Sequence, residues 1–132
     1  MSNSRASPRF VPTDVELHIL RILWELGPST VREIHNRLTE SKDTGYSTTV
    51  KMLSVMLEKE LVRRDDSIRP QVYRAASSQQ STQKRMLSEM IHKVYDGSAK
   101  SLVMHALSST KTSPQELEEI RQLLDQLGKN EE

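Results

Sequence analysis

At 132 residues the chain has room for one small domain and an appendage, and a second, catalytic-sized domain does not fit. The absence of cysteine excludes disulfides, thiolate metal sites and cysteine nucleophiles, and makes a reducing compartment, the cytoplasm, the expected home. A net charge of +1, with 12 Lys/Arg against 10 Asp/Glu in residues 1–76 and 7 against 8 in residues 77–132, gives no strong pull on a polyanion, and no apolar run has signal-peptide or membrane-spanning character.

Residues 1–12 are polar, lack apolar periodicity and carry Pro8 and Pro12, so they read as a flexible arm whose Arg5 and Arg9 can reach a phosphate. Thr13 and Glu16 have capping-box spacing, and Leu17, Leu20 and Trp24 follow at i, i+3, i+7, which predicts a first helix ending near Gly27-Pro28. Thr30 and Glu33 form a second capping box ahead of Val31, Ile34 and Leu38. Ser47 is the expected N-cap of a third helix whose core stripe is Val50, Leu53 and Leu57. Residues 61–66 and 71–76 are short and β-compatible, separated by Ser67-Ile68-Arg69-Pro70, and predict a hairpin. Three helices followed by a hairpin is the order of a winged helix-turn-helix, in which the third helix enters the major groove of DNA and the hairpin lies on the backbone.

Residues 77–83 read as a linker or the frayed start of a fourth helix, which Leu87, Ile91 and Val94, with Met86 and Met90, carry to about Gly97. Leu102, Val103, Ala106 and Leu107 predict a short fifth helix, and Ser113-Pro114-Gln115-Glu116 a sixth, with Leu117, Ile120 and Leu124 on its apolar face. Small amphipathic helices cannot bury such faces alone, so a second copy of the chain is the expected cover. The fold class is mainly α: an arm (1–12), a winged-helix DNA-binding domain (13–77), a helical dimerisation region (78–128) and a tail (129–132). The dimerisation candidates are Leu87, Met90, Ile91, Val94, Leu102, Val103, Leu117, Ile120 and Leu124.

With that stripe in the core, Thr48, Lys51, Met52 and Val55 fall on the groove side of the third helix. Thr48 and Lys51 are near its N-terminus, where base edges are read, and Met52 or Val55 suits a thymine methyl. Tyr46 and Thr49 are expected to position the helix, Tyr46 through a phosphate and Thr49 through the edge facing the DNA backbone, and Ser47 completes the DNA-binding candidates. Arg69, at the wing tip, ranks first among the hairpin arginines, ahead of Arg63, Arg64 and Arg74.

His18, His35, His92 and His105 are scattered without metal-ligand spacing, and no GxSxG, Walker-type or GxGxxG pattern occurs. The expectation is a non-enzyme with no cofactor and no metal. A winged helix that binds protein instead of DNA is the alternative, and the near-neutral charge is the feature that favours it.

The chain resembles the penicillinase-repressor family of winged-helix transcriptional regulators from about Thr13 to Leu127. The residues that carry the likeness are Thr13-Asp14-Val15-Glu16 to Leu23-Trp24, Gly45-Tyr46-Ser47-Thr48-Thr49-Val50, Leu61-Val62-Arg63-Arg64 with Val72-Tyr73-Arg74, Lys93 to Ser98, Ser101-Leu102-Val103, and Ser113 to Leu124. The resemblance implies a homodimeric repressor on a palindromic double-stranded operator, released by a membrane-bound sensor with a metalloprotease domain. It puts the cleavage position at His105-Ala106, where this chain lacks the family's Asn-Phe bond, its single phenylalanine being Phe10. It also implies a glycine near the end of the third helix, where this chain has Glu60. The cysteines of the copper-responsive branch are absent.

Overall fold

The computed structural model describes residues 11–130; Arg5 and Arg9 of the expected arm and the last two residues of the tail lie outside them. The first helix, α1 (Asp14–Leu26), opens on the expected capping box: the Glu16 amide donates to the Thr13 hydroxyl at 3.3 Å, and the Thr13 amide to the Glu16 carboxylate at 3.0 Å. It stops at Gly27, whose φ of 81° lies in the left-handed region that glycine enters without penalty. A two-residue strand, β1 (Ser29–Thr30), leads into α2 (Val31–Leu38), where Thr30 and Glu33 form the second expected capping box. The third helix is α3 (Tyr46–Glu58), and the hairpin strands are β2 (Val62–Asp65) and β3 (Val72–Ala75). The sheet is antiparallel in the order β1-β3-β2, with Ser29 opposite Tyr73 and Arg63 opposite Arg74. The core gathers Ile19, Leu20, Ile22 and Leu23 of α1, Ile34 and Leu38 of α2, Leu53 and Met56 of α3, and Leu61, Val62 and Tyr73 of the hairpin. This is a mainly α winged helix.

Several local expectations need correction. The stripe of α1 is Ile19, Leu20, Ile22 and Leu23, while Leu17 and Trp24 are half-buried. Trp24 sits at the margin because its indole N–H donates to the Ser77 carbonyl at 2.9 Å, a polar partner that draws the ring to the edge of the core. Helix α3 starts two residues earlier than Ser47 would allow, with Gly45 at its N-cap, and its buried residues are Thr49, Leu53 and Met56. Val50, expected in the core, is 41 % exposed, and Leu57 is half-buried. A threonine enters the core because its hydroxyl is satisfied there, lying 2.8 Å from His35 Nδ1 and 3.4 Å from the Gly45 carbonyl. Strand β1 escaped the sequence reading because two residues cannot display alternation. At the other boundary Pro12 is buried, so packing begins within the expected arm.

The end of α3 has the hydrogen bonds of a Schellman motif: Glu60 N–H donates to the Leu57 carbonyl at 3.1 Å and Leu61 N–H to the Met56 carbonyl at 2.9 Å. The motif needs a left-handed residue between them, and Glu60 supplies it at φ 64°. Buried Leu61 and Met56 provide the apolar contact that accompanies such a cap.

The described residues form two compact units, divided between Leu87 and Ser88, inside α4 (Gln79–Lys93). In the first unit α4 begins within the stretch read as linker, and Thr82 is buried. In the second, α4 ends in a turn with Asp96 at φ 52° and Gly97 at φ 85°. There follow α5 (Ala99–Ser109), capped by Ser98, and α6 (Pro114–Asn130), opened by the expected Ser113/Glu116 box. No described residue from Ser88 onward is buried. No helix among the described residues is long and apolar enough to cross a membrane.

Candidate nucleic-acid interface

With Thr49, Leu53 and Met56 turned inward, helical geometry puts Ser47, Lys51 and Ser54 on the outward face of α3, with Thr48 and Val55 flanking it. Ser47, Thr48, Lys51 and Ser54 are exposed, and Val55 is half-buried. Of the residues singled out in the sequence, Thr49 is fully buried and cannot reach a ligand from where it stands, and Met52 is half-buried against the core. Exposed Val50 and Ser54 were missed, because the expected stripe was rotated about one residue from the real one. The first turn of α3 carries no acidic residue and no side-chain cap, so its backbone amides meet solvent with the positive end of the helix dipole.

Tyr46, at the start of α3, is 39 % exposed and belongs to an ordered cluster. The His35 ring meets it edge to face, centroids 5.2 Å apart and planes at 81°. The Arg32 guanidinium lies 4.2 Å above its ring centroid. Arg32 was not among the sequence candidates; its signal was spatial, since α2 and the start of α3 meet only after the intervening turn folds back.

On the wing, Arg63 and Arg74 stand opposite each other on the exposed side of the sheet, and neither forms an ion pair among the described residues. Like charges directly opposed on a ladder oppose folding. Arg64 points differently: Tyr73 and Asp66 hold its guanidinium above the ordinary arginine range, the Asp66 carboxylate lying 2.6 Å from its Nε. In the turn, the Ser67 hydroxyl and amide keep Asp65 below the ordinary aspartate range. Exposed Arg69 donates one N–H to the Asp66 carbonyl at 3.1 Å, so the wing-tip guanidinium is tethered rather than freely swinging.

Among the residues expected to dimerise, Leu87, Met90, Val94, Val103 and Leu124 are exposed, while Ile91, Leu102, Leu117 and Ile120 are half-buried. Met104, Leu123 and Leu127, outside the expected set, are each more than half exposed. Leu117, Ile120, Leu124 and Leu127 recur at i, i+3, i+7, i+10, an apolar seam along α6. His105 and Ala106 are exposed within α5, and the Tyr95 hydroxyl lies 3.2 Å from His105 Nδ1. Among the described residues no group of three or more His, Cys, Asp and Glu is gathered as a metal ion would require.

A three-helix core, a strand between its first two helices and a hairpin behind the third define the winged helix-turn-helix class, with α3 as its third helix. The family model described as penicillinase repressor matches residues 12–126, and the chain belongs to that family, one of regulators rather than enzymes. It is similar to a penicillinase repressor of Staphylococcus aureus, 22 % identical over 114 residues that cover 86 % of this chain and 90 % of the relative.

Proposed function

We propose that the protein is a sequence-specific DNA-binding transcriptional repressor that acts as a homodimer on palindromic operators. The observation that carries the reading is the outward face of α3: Ser47, Thr48 and Lys51 are exposed on its first two turns, with no acidic residue in the first turn, on a helix whose opposite side is locked into the core. Hydroxyls there read several bases, and the Lys51 ammonium reaches guanine or phosphate. The wing arginines Arg63, Arg69 and Arg74 supply backbone contacts. The family and the relative's name support repression as the outcome.

Residues 78–128 are the dimerisation region in this reading. Helices α5 and α6 bury no residue of their own, and the seam through Leu117, Ile120, Leu124 and Leu127 suits a symmetric partner. Release by a sensor-triggered signal is part of the proposal. The bond between His105 and Ala106 lies inside α5, so a protease would have to unwind that helix locally before cutting it.

The test is selection of duplexes from a random library with the purified protein, followed by footprinting of the winners. Two-fold protection is expected, with half-site centres one turn of DNA, about 34 to 36 Å, apart or a multiple of it. Absence of any enriched duplex would move the assignment to a winged helix that binds protein, the reading the near-neutral charge favours.

A further inference from the structure

We propose that Arg32, laid over the Tyr46 ring, is a preorganised binding site for a single DNA backbone phosphate beside the first turn of α3. The inference rests on the DNA-binding reading above and names a contact that neither the recognition helix nor the wing supplies. Arg32 occupies the first turn of α2, the helix that crosses the backbone in helix-turn-helix docking.

Four observations converge on it. The guanidinium is 4.2 Å from the ring centroid, so its flat face is used in stacking while the N–H groups along its edge stay available. Tyr46 is itself fixed, by the edge of His35, whose Nδ1 lies 2.8 Å from the hydroxyl of the fully buried Thr49. A chain of contacts thus runs from the core to an exposed cation and limits its freedom before any ligand arrives. The nearest carboxylate in sequence, Glu33, is turned to the helix cap: its Oε1 accepts from the Thr30 amide at 2.9 Å and the Thr30 hydroxyl at 3.3 Å. No ion pair to Arg32 occurs among the described residues. A stacked arginine with its fork unspent matches the planar, bidentate geometry of a phosphodiester.

A surface cation–π pair with only a stabilising role would look the same at rest, so the test must read DNA. The probe is the duplex selected by the wild-type protein, titrated from low to moderate salt with the wild type, Arg32→Ala, Arg32→Lys and Tyr46→Leu. Arg32→Ala is expected to weaken binding about tenfold and to lower the log-log salt slope by about one, alike on selected and random duplexes. Arg32→Lys keeps the slope and loses part of the affinity, because an ammonium cannot reproduce the fork. Single methylphosphonate substitutions, walked along the duplex, then locate the phosphate: one neutralised position should weaken the wild type and leave Arg32→Ala indifferent. Circular dichroism confirms that each variant is folded. Equal slopes for wild type and Arg32→Ala, or a methylphosphonate penalty that persists in Arg32→Ala at every position, would overturn the assignment while leaving the DNA-binding reading intact. A wild type that enriches no duplex overturns both.

Discussion

Glu60→Gly should make the protein more stable, although it removes a whole side chain. Glu60 sits at φ 64° in the Schellman turn between α3 and β2, where its Cβ crowds the following carbonyl. That conformation costs a non-glycine residue about 1 to 2 kcal/mol. Glycine gives back about 0.5 to 1 kcal/mol through its greater freedom in the unfolded chain. The last turn of α3 also has no basic residue and ends on Glu58, so removing a second negative charge from the negative end of the helix adds a few tenths of a kcal/mol. The net gain is about 1 kcal/mol, or about 4 °C in Tm for a chain of this size. Urea melts at one fixed protein concentration measure it, because the proposed dimerisation would make apparent stability depend on concentration. Glu60→Ala is the control: it removes the charge and keeps the Cβ, so its gain should be only the few tenths that belong to the dipole. If Glu60→Gly proved no more stable than Glu60→Ala, the backbone argument would fail.

Other expectations follow from the same geometry. Burial pushes the Glu16 carboxyl up, but the Lys59 ammonium at 2.7 Å and the Thr13 amide outweigh it and leave the group below its ordinary value. A lowered value in the folded state gives stability that is present above the ordinary glutamate range and lost as the pH falls through the folded value. Glu16→Gln should therefore cost about 1 to 2 kcal/mol at neutral pH, with the gap to wild type closing below about pH 4 in a pH series of urea melts. A gap that stays constant to low pH would remove the ion pair from the explanation. Ile120→Glu and Leu124→Glu, on the α6 seam, should shift the protein from dimer to monomer in sedimentation equilibrium while far-ultraviolet dichroism retains the winged-helix signal; an unchanged mass in both would rule that face out as the interface. Arg63→Thr should stabilise the hairpin by up to about 0.5 kcal/mol, by relieving repulsion from Arg74, and at the same time weaken DNA binding. Changes of the same sign in stability and affinity would contradict a role for that pair in binding.

Capping boxes were the most legible part of the sequence, because each is a local, reciprocal hydrogen-bond pattern: Thr13/Glu16, Thr30/Glu33 and Ser113/Glu116 all start helices where their spacing places them, whereas the lone cap signal at Ser47 did not. Hairpin and helix order followed from apolar period and turn residues. Helix rotation was less legible. Hydrophobicity favoured Val50 over Thr49 for the core of α3, and what reversed this was His35, fourteen residues earlier, offering a partner for the Thr49 hydroxyl. That one exchange turned the outward face and brought Ser54 onto it. Arg32 was illegible for a related reason, since its neighbour Tyr46 is brought to it by the fold and not by sequence spacing. The glutamate at Glu60 was visible as a departure from the family's glycine, and the left-handed backbone there gives the departure its physical meaning.

The most direct test of the account is a gel-shift titration of the purified protein on the DNA upstream of its own gene, at two salt concentrations, with a Thr48→Ala, Lys51→Ala double variant alongside. Binding that is specific, weakens with salt and disappears in the folded double variant is the expected result. Equal binding by the double variant would contradict a reading helix at α3, and no binding by either protein to that or any genomic fragment would contradict the DNA-binding function itself.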